Sequence, residues 1–242
     1  MVLRALLSPP ADDTGSAMQP LRRRLLRRLL IWTRWLALRF AALMLGLVMV
    51  YALVNPPTTW TIAAEATAPR AWVDLDDISG AMQRSVVAAE DANFCLHWGF
   101  DMAEIRKVVA SGSSRGASTL TQQTAKNVFL WQGRSWTRKA LETAFTPMIE
   151  ALWTKRRILE VYLNVAEFGP GIFGIEAAAR EYFGTTPARL TEVQAARLAA
   201  VLPAPETRSP ERASQRSRAI ADGAATIARD GRADCFAAAR TG

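Results

Sequence analysis

The chain has 242 residues, enough for one large domain or two small ones, and 50% of them are hydrophobic, enough for a real core. Charged residues make up 21%, so the composition excludes wholesale disorder. The formal charge is +8, with a single histidine and two cysteines that form no CxxC pair, which excludes a zinc or haem site built from those residues.

The positive charge is concentrated at the start. Arg4, Arg22, Arg23, Arg24, Arg27, Arg28, Arg34 and Arg39 are opposed there only by Asp12 and Asp13. A basic run beside an apolar run reads as membrane topology rather than as nucleic-acid binding. The apolar run is Phe40 to Val54; extended back to Trp35 it reaches about 20 residues, the length of a helix that crosses a bilayer. Arg39 lies inside the extended span, close enough to its end for the side chain to reach the headgroups. Trp32, Trp35 and Tyr51 flank the span as interfacial aromatics do. A cleaved signal peptide is the competing reading, but the stretch is long for one and NPPTTW is a poor cleavage site. The predicted organisation is a basic cytoplasmic tail over 1–34, disordered through residue 30, a transmembrane helix over 35–54, and a linker over 55–74. Everything after Asn55 then lies outside the cytoplasm.

From Leu75 to Leu202 the pattern is helical. Asp77 is placed to cap a helix running through Ile78, Met82 and Val86 to Phe94. SGSSRG, 111–116, is a flexible loop. Thr119-x-x-Gln122 forms a capping box opening a helix that Gly133 breaks. Leu141, Phe145, Met148 and Leu152 form the next stripe, with Pro147 as a point for a kink. Ile158 to Leu163 forms another helix, FGPGIFG a loop, and Ile175 to Phe183 a short helix stopped by Gly184. Thr191-x-x-Gln194 caps one more, ended by Pro203. The expectation is a single mainly α domain over 75–204 with little β pattern. The tail, 205–242, reads as weak or irregular helix, packed on the domain or partly disordered.

Three constellations carry chemistry. In Glu90-Asp91-x-x-Phe94-x-x-His97-x-Gly99-x-Asp101, Glu90 continues the stripe Ile78, Met82, Val86 at steps of four. A carboxylate there sits against apolar surface, where desolvation raises its pKa and makes it a better base. His97 reads as structural. In Gly116 to Asn127, GASTLTQQTAKN, a loop feeds a helix N-terminus bearing hydroxyls, amides and Lys126, which suits an anion such as diphosphate; an ordinary capped helix explains it equally well. In Arg134-x-x-x-Arg138-Lys139-x-x-Glu142, three cations precede a second carboxylate, as for a phosphorylated substrate or a plain i, i+4 pair.

EDANFCLHWGFD, GASTLTQQTAKN, RKALE, KRRILEVYLNVAEFG and GIEAAAREYFG occur in that order. They resemble the five motifs of the peptidoglycan glycosyltransferases, glycosyltransferase family 51, and most of all its monofunctional biosynthetic members from Gram-negative bacteria. The resemblance implies a lysozyme-like glycosyltransferase domain preceded by a single transmembrane helix, with a larger lobe holding the cleft and a smaller mobile jaw against the membrane. It implies lipid II and the growing lipid-linked glycan as substrates, β-1,4 bonds formed with inversion, and undecaprenyl diphosphate released. Glu90 takes the role of general base. Glu142 assists the leaving diphosphate, with Lys126, Arg134, Arg138 and Lys139 as its cations. Asp91, Ser118, Gln122 and Gln123 complete the substrate-binding set. A divalent cation such as Mg²⁺ suits the diphosphate by charge, but no ligand cluster declares it. The partners implied are the inner membrane and cell-wall synthesis and division proteins, with no nucleic acid. The stretch between Asp101 and Gly116 is shorter than the family pattern, which touches the jaw, and the residues after Leu202 leave no room for a transpeptidase domain. A lysozyme-like lytic hydrolase and a non-catalytic assembly scaffold are the rival readings. Cys95 and Cys235, both on the predicted outer side, are expected to form a disulfide fastening the tail to the back of the catalytic helix; two free thiols are the alternative.

Overall fold

The computed structural model describes residues 14–112, 116–133 and 135–237, and the chain divides into one unit up to Leu47 and a second from Val48. The first unit is helical from its first described residue. Helix α1, Thr14–Leu53, has 40 residues and is therefore roughly 60 Å long. Arginine, leucine and alanine dominate it from Leu21 to Arg39, and all three are strong helix formers. The predicted disorder is thus corrected over 14–30, while residues 1–13 lie outside the described residues. Arg23–Leu53 is long and apolar enough to cross a membrane. Its large apolar side chains, from Leu25 to Leu47, are exposed nearly all round, a surface that water does not favour. The Arg39 guanidinium lies 3.5 Å over the Trp35 ring.

In the second unit the last turns of α1 are tied down by hydrogen bonds. Val48 O accepts from Trp153 Nε1 at 2.8 Å. Arg157 donates to Tyr51 O at 3.0 and 3.2 Å and to Val54 O at 2.9 Å. A helix end leaves such carbonyls without intrahelical partners, and a cation there also complements the helix dipole. The segment 55–74 is not a free linker. It contains a short helix, α2 (Trp60–Glu65), capped by Thr59, with Thr61 and Ile62 buried. Thr67 N donates to Gly171 O at 2.9 Å, and Arg70 bridges Asn164 O at 3.3 Å to Pro57 O at 2.6 Å. The polar residues that made this stretch look like linker are the ones that bond it to the domain.

Leu75–Asp77 is a 3-10 turn, and Ser79, not Asp77, caps helix α3, Gly80–Glu90. The helix stops well before Phe94 because Asp91 leaves helical geometry, with φ −160°. The stripe Ile78, Met82, Val86 is buried as its spacing predicts. Asp101 caps α4 (Met102–Ser111), which buries none of its residues. Helices α5 (Leu120–Phe129), α6 (Trp136–Leu152) and α7 (Lys155–Val165) follow, and α6 runs on through Pro147. The expected FGPGIFG loop is a small antiparallel hairpin, β1 (Glu167–Gly169) with β2 (Ile172–Phe173). Helix α8 (Ile175–Phe183) ends at Gly184 in left-handed geometry, and α9 (Glu192–Val201) opens with the predicted capping box. Helix α5 packs between α6 and α7, and α3 packs against α9.

The tail packs on the domain, one of the two expected alternatives, and differs from expectation in its regularity. Gln215–Arg229 forms a regular helix, α10, packed on both α3 and α9. Ser214 and Ser217 make a reciprocal cap, and Ile220, Ala224 and Ile227 supply a buried stripe at steps of four and three. Beyond it, Cys235 is bonded to Cys95, with Cα atoms 5.6 Å apart. Phe236 is buried 6.3 Å from the Phe94 ring, and its carbonyl accepts from Arg156 at 2.8 Å.

Candidate active site

The site is assembled around the N-terminal half of α5. The end of α3 meets it on one side and α6 on the other. Glu90 is the last residue of α3, and its Oε2 accepts from Gln123 Nε2 at 3.0 Å. Gln123 is itself oriented by the Tyr162 hydroxyl, which donates to its Oε1 at 3.1 Å. The other carboxylate oxygen, Oε1, is buried and has no hydrogen-bond partner. Burial pushes the Glu90 carboxyl above its ordinary value. The Gln123 hydrogen bond, Arg216 and Lys126 pull it back, and Asp91 pushes it up. A carboxylate held this way is short of solvation and has a lone pair to spare, which is what a general base requires.

The neighbouring Asp91 does a different job. Its Oδ1 meets His97 Nε2 at 2.8 Å, and its Oδ2 accepts from Leu120 N, the first amide of α5, at 3.0 Å. Both oxygens are engaged inside the protein and the residue is buried. Asp91, expected among the substrate contacts, clamps the loop after α3 to the start of α5, with His97 as its partner. Thr119 reinforces the clamp by donating to Gly99 O at 2.7 Å. Gly99 has φ 82°, and a Cβ there would lie 2.6 Å from Thr146 Cγ2, so geometry and space both call for glycine.

Gln122 and Gln123 also divide. Gln122 is consumed by the capping box, its Oε1 accepting from Thr119 N at 3.1 Å, and does not line the cleft. Gln123, one residue on, holds Glu90.

The cations come from the last turn of α5 and the first turn of α6. Glu142 is only 3% exposed. It accepts from Arg138 Nη1 at 2.8 Å and from Lys139 Nζ. Lys139 also donates to Ser118 Oγ at 3.2 Å, which joins α6 to the loop before α5. Lys126 has no ion-pair partner among the described residues. Burial pushes its pKa below the ordinary value, as do Arg138 and Lys139, while Glu142 and Glu90 pull the other way. A half-buried ammonium without an ion-pair partner among the described residues is poised for an anion. Arg134 lies outside the described residues.

A cleft of about 340 Å³ opens beside these groups, lined by Gln123, Lys126, Asn127, Tyr162, the hairpin residue Glu167 and the segment 202–207. A shallower depression is bordered by Ser135, Trp136, Arg138 and Lys139. Neither carboxylate of interest lines the cleft itself; Glu90 is joined to it through Gln123, which does. Tyr162, Glu167 and Arg216 were not picked out from the sequence. Tyr162 lay hidden in an apolar stripe, Glu167 in an apparent loop, and Arg216 in a tail without motif. Burial also raises the Glu167 carboxyl, which Gly171 N partly offsets by donating to it at 3.1 Å. Among the described residues no group of three or more His, Cys, Asp or Glu side chains is disposed to hold a metal ion. Glu142 is already engaged by two cations.

Residues 58–226 match the family described as Transglycosylase. The chain is 56% identical over 215 residues to a biosynthetic peptidoglycan transglycosylase of Jannaschia sp. (strain CCS1), covering 84% of this chain and 90% of that one. It is 46% identical to the protein of that name from Caulobacter vibrioides, covering 89% and 98%. For the Pseudomonas aeruginosa PAO1 protein the identity is 48%, covering 76% and 83%. The family match begins inside the supposed linker and ends inside α10, so both belong to the domain.

Proposed function

This chain belongs to the transglycosylase family, and on that premise we propose that it polymerises lipid II into peptidoglycan glycan strands as a single-pass protein of the inner membrane. The observation that carries the reading is a desolvated carboxylate set near a cluster of cations. Glu90 has one oxygen without a hydrogen-bond partner. Lys126, one turn along α5 from the Gln123 that holds Glu90, stands with Arg138 and Lys139, which Glu142 organises.

In this reading Glu90 takes the proton from the 4-hydroxyl of the acceptor sugar as that oxygen attacks the anomeric carbon of the donor. The bond from that carbon to the diphosphate oxygen breaks, and undecaprenyl diphosphate leaves with the electron pair. Attack from the face opposite the leaving group inverts an α linkage into a β-1,4 bond. The leaving group gains negative charge in the transition state, and fixed cations stabilise that charge as it develops. Lys126 is the strongest candidate for this, since no carboxylate among the described residues is paired with it. Glu142 keeps Arg138 and Lys139 together against their mutual repulsion. Gln123 and Tyr162 hold the base in place, and Asp91 keeps the α3 end against α5. The exposed apolar helix α1 and the arginines at its start support a cytoplasmic N-terminus and a periplasmic domain.

The test is purified protein incubated with labelled lipid II. Lipid-linked polymer is expected. No product, or release of soluble sugar without chain growth, would overturn the assignment, the latter in favour of a hydrolase.

A further inference from the structure

We infer that Arg216, on the C-terminal helix α10, is a positioning residue for this reaction: its guanidinium keeps Glu90 in the ionised form ready to take the acceptor's proton. The inference rests on the reading of Glu90 as the base. Arg216 Nη2 lies 3.6 Å from Glu90 Oε1, the oxygen that is buried without a hydrogen-bond partner. The same nitrogen donates to Ala89 O at 3.4 Å, which fixes the guanidinium at the end of α3. A cation at that distance favours the carboxylate form without occupying the oxygen's lone pair. Basicity is moderated while the proton-accepting position stays open.

The contact is built into the fold. Arg216 stands in the first turn of α10, whose Ser217, Ile220, Ala224 and Ile227 are buried. At Gly223 the helix comes so close that a Cβ would meet Ala88 Cβ at 3.3 Å. Beyond the helix, Arg232 donates to Ala92 O at 3.1 Å and Cys235 is bonded to Cys95. The chain is therefore held on both sides of Glu90, at residues 88–89 and at 92–95.

The other charged groups facing Glu90 are Asp91 beside it and Lys126 from α5, while Tyr162 from α7 faces it with a neutral hydroxyl. From α9, Arg197 is turned to Pro210 O and the Phe183 ring, and Glu192 is exposed. Arg216 is the charged group brought to Glu90 from the C-terminal segment, and its side chain is 41% exposed, so water screens it and its influence is moderate.

The readout is the acid limb of kcat/KM against pH with lipid II, for wild type, Arg216→Met and Arg216→Lys. Removing the positive charge makes the carboxyl harder to ionise, so the limb in Arg216→Met should move to higher pH by about 0.5–1 unit. Arg216→Lys should bring it back toward wild type. The limb's position does not depend on the fraction of folded enzyme, so partial misfolding lowers the amplitude and leaves the readout intact. Superimposable limbs in Arg216→Met and wild type would overturn the inference. Glu90→Gln, assayed alongside, separates the two levels. If it turns over normally, the base assignment itself fails; if it is inert while the limb of Arg216→Met is unmoved, only the role of Arg216 fails.

Discussion

Glu90 and Lys126 face the same difficulty with opposite sign, since each is a charge that the fold desolvates. For Glu90 the folded-state pKa is raised above that of the unfolded chain. Stability therefore falls as pH rises from the unfolded value through the folded one, and above both the cost is complete. A neutral glutamine of the same shape escapes that cost. Glu90→Gln is accordingly expected to lose about 10²–10⁴-fold in turnover while melting no lower than wild type at neutral pH; lipid II kinetics and a thermal scan check the two halves. Lys126 has a lowered pKa, so its charged form costs stability at pH below both its folded and unfolded values. Lys126→Met should weaken donor use without lowering the melting temperature. Arg138→Ala should differ. It strips one of two cations from Glu142, a nearly fully buried carboxylate, and is expected to cost about 1–3 kcal/mol of stability in addition to activity. Equal melting of the two variants would contradict this distinction between an uncompensated cation and a structural pair. That Glu90 and the cations Lys126, Arg138 and Lys139 would come near one another was legible from the order of the motifs. What each neighbouring residue bonds to was not always legible, because it depends on tertiary partners. Asp91 is taken by His97 and Leu120 N, a partnership with no signature in residue spacing, whereas the box in which Thr119 takes Gln122 is written in the spacing.

Among the elements, α5 and α10 mark the two ends of what the sequence discloses. The N-terminus of α5 follows a capping rule that is written in its residues, and both halves of the Thr119–Gln122 box are present. Thr119 also bonds Gly99 O, buried between α5 and the loop after α3. Thr119→Ala should therefore cost more than a surface cap, about 1–3 kcal/mol, measured by urea unfolding; a loss below about 0.5 kcal/mol would show that the cap alone, or neither bond, matters. The helix α10 opens with Ser at the position where Gln or Glu would announce a box, and its buried stripe includes alanine. Its many arginines and serines read as tail because nothing local says that α3 and α9 will offer it a surface. The same reasoning applies to 55–74, whose proline, threonine and arginine residues look like linker until Arg70 and Thr67 find their carbonyl acceptors. Elements specified by their own periodicity were predictable; elements specified by a partner were not.

At the scale of the whole molecule, the arginine-rich start and the apolar span set a topology that reporter fusions can check. Alkaline phosphatase should be active when fused after Gly242 and inactive when fused near Ser16; the reverse pattern would overturn the orientation. The expected disulfide is present, and it closes a loop of 140 residues, for which chain entropy gives an upper value of about 5 kcal/mol. Because α10 is also held by packing, Cys235→Ser is expected to lose about 2–4 kcal/mol, measured as the difference between oxidised wild type and the variant in denaturant; no difference would mean that the bridge adds nothing to the packed helix. The bridge also orders events in the life of the chain. Cys95 precedes its partner by 140 residues, so every helix from α4 to α10 must be made before the thiol can be matched. A product of premature termination short of residue 235 would carry every catalytic motif and still lack the closure beside Glu90. A chain that stops before residue 235 therefore differs chemically from one that has passed it, by a thiol at Cys95 that has no partner to meet.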